Sequence, residues 1–162
     1  MAMTKAEQLE HLQELITVAK DSELGYQTAA EHVDNPHLAN VFSEYARQRA
    51  GFVEELTLEA ARISGDVPVD NGTVKGAVFR GWMNLKSALT GGGPEALVAA
   101  CETGEDSAEA AFERVVNLGL TGPLRNIVEA QVGKGQGGPL AHVSFEGAAS
   151  GLTRSNGCDL VQ

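Results

Sequence analysis

LEHLQELITVAKDSELGYQTAAEHVDNPHLANVFSEYARQRAGFVEEL, residues 9–56, decides the fold. On its first half, Leu9, Leu12, Ile16, Ala19, Glu23, Tyr26, Ala30 and Val33 recur at alternating three- and four-residue steps, the spacing of one helical face. A helix is therefore expected from Thr4 to Val33. Asp34, Asn35 and Pro36 interrupt it, because proline disfavours a helical residue before itself yet fits the first turn of a new helix. The seam then resumes as Leu38, Phe42, Tyr45, Arg49, Phe52, Leu56 and Ile63, giving a second helix from His37 to Ser64 with Gly65 as its stop. Two helices of similar length joined by so short a break form an antiparallel hairpin.

Outward from the hairpin, GDVPVDNG at residues 65–72 is rich in turn formers and reads as a crossover. A shorter helix is expected from Thr73 to Leu89, ended by Gly91, Gly92, Gly93 and Pro94. A fourth runs from Pro94 to about Leu118 with Leu97, Cys101, Glu105, Ala108, Phe112 and Val115 on its stripe, and Gly119 closes it. Pro123 starts a fifth, with Leu124, Ile127, Val128 and Gln131 inward. The pattern collapses at VGKGQGGPLAH, residues 132–142. Each glycine costs roughly 1 kcal/mol in a helix and an interior proline about 3. Residues 1–134 are thus expected to form one helical domain and 135–162 an irregular glycine-rich tail. The whole is an all-α antiparallel four-helix bundle with a short crossover helix between the second and third bundle helices.

Charge narrows the partners. With 12 Lys plus Arg against 22 Asp plus Glu, the net charge is −10, which repels phosphate backbones and anionic lipid surfaces. Neither nucleic acid nor membrane is expected. The opening MAMTKAEQLEHLQELI enters a charged amphipathic pattern at once, with no apolar signal core, so a cytoplasmic location is expected. Cys101 and Cys158 stand far apart with no metal-binding or redox spacing and read as free thiols.

The informative positions are charged residues where the seams call for apolar ones: Glu23, Arg49 and Glu105. Burial requires partners for them. If the hairpin pivots near residues 35 and 36, Glu23 falls opposite Arg49, so an ion pair between them is expected, with Tyr26 and Gln131 completing a polar seam; Tyr26 is placed to bond an inward carboxylate. The competing use of the same residues is a carboxylate-bridged iron or manganese centre with Glu23, Glu55 and Glu105 as ligands. The usual bundle site also needs Glu-x-x-His motifs. Three residues before His11, His32, His37 and His142 stand Gln8, Ala29, Asp34 and Pro139, so that motif is missing. No cofactor and no catalytic residue is expected from the sequence.

LQELITVAKDSELGYQTAAEHV in the first helix, FSEYARQRAGFVEEL in the second, RGWMNLKSAL in the crossover helix and CETGEDSAEAAFERV in the fourth together resemble a bacterial ferritin-like four-helix-bundle family of unknown function. The resemblance covers about residues 5–131. It implies that the first, second, fourth and fifth helices form the bundle while the third lies along the crossover, and it supplies no substrate or activity. Such proteins carry a continuous, charged fifth helix with a histidine. With suitable synonymous codons, the DNA of VGKGQGGPLAH read one base out of register encodes WARVKAAH, so a frameshift origin for the tail is a sequence-level expectation. The function expected is non-enzymatic, structural or interaction-based and stress-associated, with a homo-oligomer, a dimer first, covering apolar strips beside the broken helix. The alternative is oxidase-like chemistry at a di-metal centre.

Overall fold

A computed structural model describes residues 3–65 and 79–135, with side chains described over 3–65 and 85–133. Every element in it is helical: α1 Lys5–His32, α2 Pro36–Ser64, α3 Phe79–Gly91, α4 Gly93–Asn117 and α5 Gly122–Gly135. The start of the crossover helix expected at Thr73, the tail beyond Gly135, His142 and Cys158 lie outside the described residues, as does the Trp82 side chain.

Local chemistry sets the ends. Thr4 caps α1 through a reciprocal box, in which the Glu7 N–H donates to Thr4 Oγ1 at 3.2 Å and the Thr4 N–H donates to Glu7 Oε2 at 2.8 Å. Asn35 Oδ1 accepts from the backbone N–H groups of His37 and Leu38, and Pro36 occupies the first turn of α2, where its missing N–H is no loss. At the far end of α2, Gly65 adopts φ 76° and its N–H returns to the Ala61 carbonyl, a left-handed stop that a side chain would strain.

α1 packs along α2 and also against α4 and α3; α4 in turn contacts α3 and α5, and α5 reaches α2. Because three helices lean on it, α1 buries a wider face than one stripe. Leu15, Val18, Ser22, Gly25 and Ala29 join Leu12, Ile16, Ala19 and Tyr26 inside, while Glu23 is left at the margin, half-buried.

The interior divides in two. One apolar cluster gathers the first half of α1, the second half of α2 and α4, and α5, around Leu15, Phe52, Leu56, Phe112, Val115 and Val128. The other gathers the second half of α1, the first half of α2, α3 and the first half of α4, around Tyr26, Leu38, Phe42, Leu85, Leu97 and Cys101. Phe52 and Phe112 meet in the first with ring centroids 6.5 Å apart, and Tyr26 packs on Phe42 at 6.1 Å and Tyr45 at 5.4 Å in the second. Between the clusters lie Ser22, Arg49, Glu105 and Gln131.

Candidate functional site

The two clusters leave a layer that the sequence fills with charge. α2 brings Arg49 inward between Phe42 and Phe52, and α4 brings Glu105 inward between Cys101 and Ala108. Their side chains, 6% and 13% exposed, form an ion pair through Arg49 Nη2 and Glu105 Oε1. From α1, the Tyr26 hydroxyl donates to the other carboxylate oxygen, Glu105 Oε2, at 2.7 Å. Glu105 is therefore held on both oxygens, by a cation and by a phenol from different helices. Arg49 is also covered from the side, its guanidinium carbon 5.0 Å from the centroid of the Phe52 ring, in reach of a cation–π attraction.

The pair expected between Glu23 and Arg49 is replaced by Arg49 and Glu105. Glu23 lies on the margin of α1, where its Oε1 accepts from Gln27 Nε2 at 3.2 Å, one turn along the same helix. The physical reason is the breadth of the buried face of α1: Ser22 and Tyr26 point into the layer, and Arg49 is met by α4 across it. Tyr26 does bond an inward carboxylate, that of Glu105. The remaining member of the expected seam, Gln131 of α5, is buried and donates through Nε2 to Glu55 Oε2 of α2 at 2.9 Å.

The three carboxylates considered as metal ligands thus have separate partners: Glu23 with Gln27, Glu55 with Gln131, and Glu105 with Arg49 and Tyr26. Among the described residues, no three His, Cys, Asp or Glu side chains converge in a way that could hold a metal ion. Of the histidines described, His32 and His37 are exposed, and His11 is half-buried, with Nδ1 3.8 Å from Glu14.

Electrostatics in the layer disfavour further ionisation. Burial pushes the Tyr26 phenol far above its ordinary value of 10.0, and the negative charge of Glu105 adds to that. Burial likewise pushes the Cys101 thiol up to about 12, with Glu105 and Glu102 contributing. A thiol held protonated at neutral pH is a poor nucleophile. Both groups act as neutral walls around an internal ion pair.

Sequence reasoning missed Ser22 and Glu59. Glu59 is buried on α2 and bonded to Arg62, one turn on, through Nε at 2.8 Å. The signal for Ser22 was present as a second periodic line on α1, Leu15, Val18, Ser22, Gly25 and Ala29, beside the stripe that contains Glu23.

Fold and site together define a protein that is helical over its described elements, with a buried polar layer between its two apolar cores. The chain belongs to the family described as domain of unknown function DUF2383, which matches residues 7–118. That span takes in nearly all of α1 and the whole of α2, α3 and α4, and with them Tyr26, Arg49 and Glu105. No curated protein matches the chain.

Proposed function

We propose that this domain is a non-enzymatic, ferritin-like four-helix bundle, with α1, α2, α4 and α5 as the bundle helices and α3 beside the crossover, that acts through its surface as an interaction module. The observation that carries this reading is the engagement of Glu105. The inward carboxylate best placed for a metal or a proton-transfer role is already neutralised by Arg49 and capped by Tyr26. A guanidinium in the same layer repels a metal cation and stabilises the fold only while its partner is present.

The module is read as cytoplasmic, bacterial and stress-associated, with a second copy of the chain as its first partner. Leu24 on α1 and Leu58 on α2 stand 59% and 63% exposed among polar neighbours and offer apolar footing to such a contact. Light scattering across a concentration series is expected to give twice the 17.0 kDa mass of one chain. A mass that stays at one chain at every concentration removes the self-association part of the proposal.

Elemental analysis tests the remainder. Full-length protein purified without chelator after growth in added iron is expected to carry no stoichiometric iron or manganese, and Glu105→Gln is expected to leave that content unchanged. Near-stoichiometric metal that is lost in Glu105→Gln reverses the reading in favour of carboxylate-bridged, oxygen- or iron-handling chemistry. The tail is read as the product of a shifted reading frame; sequencing the gene tests this, and codons that cannot encode a helix in another frame dispose of it.

A further inference from the structure

The polar layer holds more hydrogen-bonding capacity than its pairs use. Ser22 Oγ, Arg49 Nε and Gln131 Oε1 are buried and have no hydrogen-bond partner among the described residues. Their residues are 1%, 5% and 1% exposed, so bulk water does not serve them. A buried polar atom left bare costs free energy comparable to a lost hydrogen bond, and native interiors leave few such atoms. These three come from three different helices, and their side chains line one and the same cavity, which Glu105 and Glu109 border from α4.

The orientation of each group follows from its other contacts. Arg49 uses Nη2 on Glu105, which leaves its Nε–H as a free donor. Gln131 donates through Nε2 to the Glu55 carboxylate; turning the amide over would set two acceptors against each other, so Oε1 is fixed as an acceptor. Ser22 departs from a pattern that five other helical hydroxyls share. Thr17, Thr28, Ser43, Thr103 and Ser107 each donate to the carbonyl four residues back, and Ser22 does not. One donor, one acceptor and one hydroxyl able to do either are thus gathered around a single space.

That set selects a guest. A cation would meet the Arg49 guanidinium and an anion the carboxylates of Glu105 and Glu109, so the guest is neutral. It must accept from Arg49 and donate to Gln131. It must also be small, since the cavity measures about 20 Å³, against the roughly 10–15 Å³ that one water requires. We propose that the cavity is a binding site for a small neutral molecule that both donates and accepts hydrogen bonds, and that its resident is an internal water bridging Ser22, Arg49 and Gln131. The water joins α1, α2 and α5 at the level where the apolar cores part, and it completes the shell of the Arg49 guanidinium that the ion pair leaves open.

The test is oxygen-17 relaxation dispersion of the solvent, together with water-to-protein nuclear Overhauser effects, on the full chain. Slowly exchanging water is expected, with cross-peaks to the Arg49 Hε and the Gln131 side-chain amide. Ser22→Val, which removes the hydroxyl and adds methyl groups to the cavity, is expected to abolish those cross-peaks and lower the dispersion amplitude. Gln131→Leu, which removes the acceptor, is expected to do the same and covers the case in which Ser22→Val fails to fold. No slowly exchanging water in the native protein overturns the proposal, as does a folded variant of either kind with unchanged cross-peaks and amplitude. Cross-peaks that arise instead from carbon-bound protons of a co-purified solute overturn the assignment of the resident as water.

Discussion

Arg49 brings a permanent positive charge into the interior, and the free energy of that choice depends on its partner. Removing one member of a buried pair strands the other, a loss on the order of 3–5 kcal/mol. Arg49→Ala is therefore expected to lower unfolding free energy by about that amount in urea titrations, and a cost under about 1 kcal/mol would mean that the pair is solvated. Tyr26→Phe removes one hydrogen bond to a charged acceptor, expected to cost about 1.5–3 kcal/mol. Cys101 adds a pH dependence. Its folded value, up to about 12, lies above its ordinary 9.0. Between these the unfolded chain has released a proton that the folded chain keeps, so stability present below pH 9.0 declines as pH rises toward 12. Tyr26, also raised, steepens the same alkaline limb. Denaturation midpoints measured from neutral to strongly alkaline pH should fall, and Cys101→Ala should flatten the fall; an unchanged profile in that variant would assign the alkaline limb to other groups. That Arg49, Glu105 and Tyr26 are inward was legible from helical spacing. Which carboxylate Arg49 meets was not, because Glu23 and Glu105 both satisfy the spacing and only the packing of α4 on α1 separates them.

Elements begin and end where side chains satisfy the backbone groups that helix geometry leaves over. Thr4, Asn35, Pro36 and Gly65 could all be read as boundary residues, because capping depends on chemistry within three or four residues. Asn35→Ala removes the acceptor for two N–H groups at the start of α2 and is expected to cost about 1 kcal/mol, while Asn35→Asp should be nearly neutral. Equal losses for the two would place the effect in the turn rather than the cap. The Thr4 and Glu7 box carries its own pH signature. Hydrogen bonding to Thr4 holds the Glu7 carboxyl below its ordinary 4.5, so its contribution is present above that value and is lost as pH falls through the lowered one. What one-stripe reading missed at this scale was the breadth of α1: contact with α2, α3 and α4 buries Ser22 and leaves Glu23 at the edge.

For the whole molecule, the arrangement is two apolar cores held in register by a polar layer. If the layer specifies alignment rather than supplying stability, replacing both charges together should be tolerated. The triple variant Tyr26→Phe/Arg49→Met/Glu105→Leu, which strands no phenol, is expected to match or exceed the native unfolding free energy, by up to about 4 kcal/mol, while Arg49→Met or Glu105→Leu alone is destabilising. A triple variant as weak as Arg49→Ala would show that the pair contributes net stability. The sequence by itself determined the helical class, the hairpin of α1 and α2, the caps, the acidic surface and the charged positions on the seams, since these depend on periodicity, local hydrogen bonding and composition. Only the tertiary structure decided that Arg49 pairs with Glu105, that Tyr26 closes the pair, that Gln131 is spent on Glu55, and that Ser22 shares a cavity with both. The three bonds join residues 56 to 79 positions apart in the chain. Their formation depends on which helix faces which, a choice that spacing within one helix does not contain.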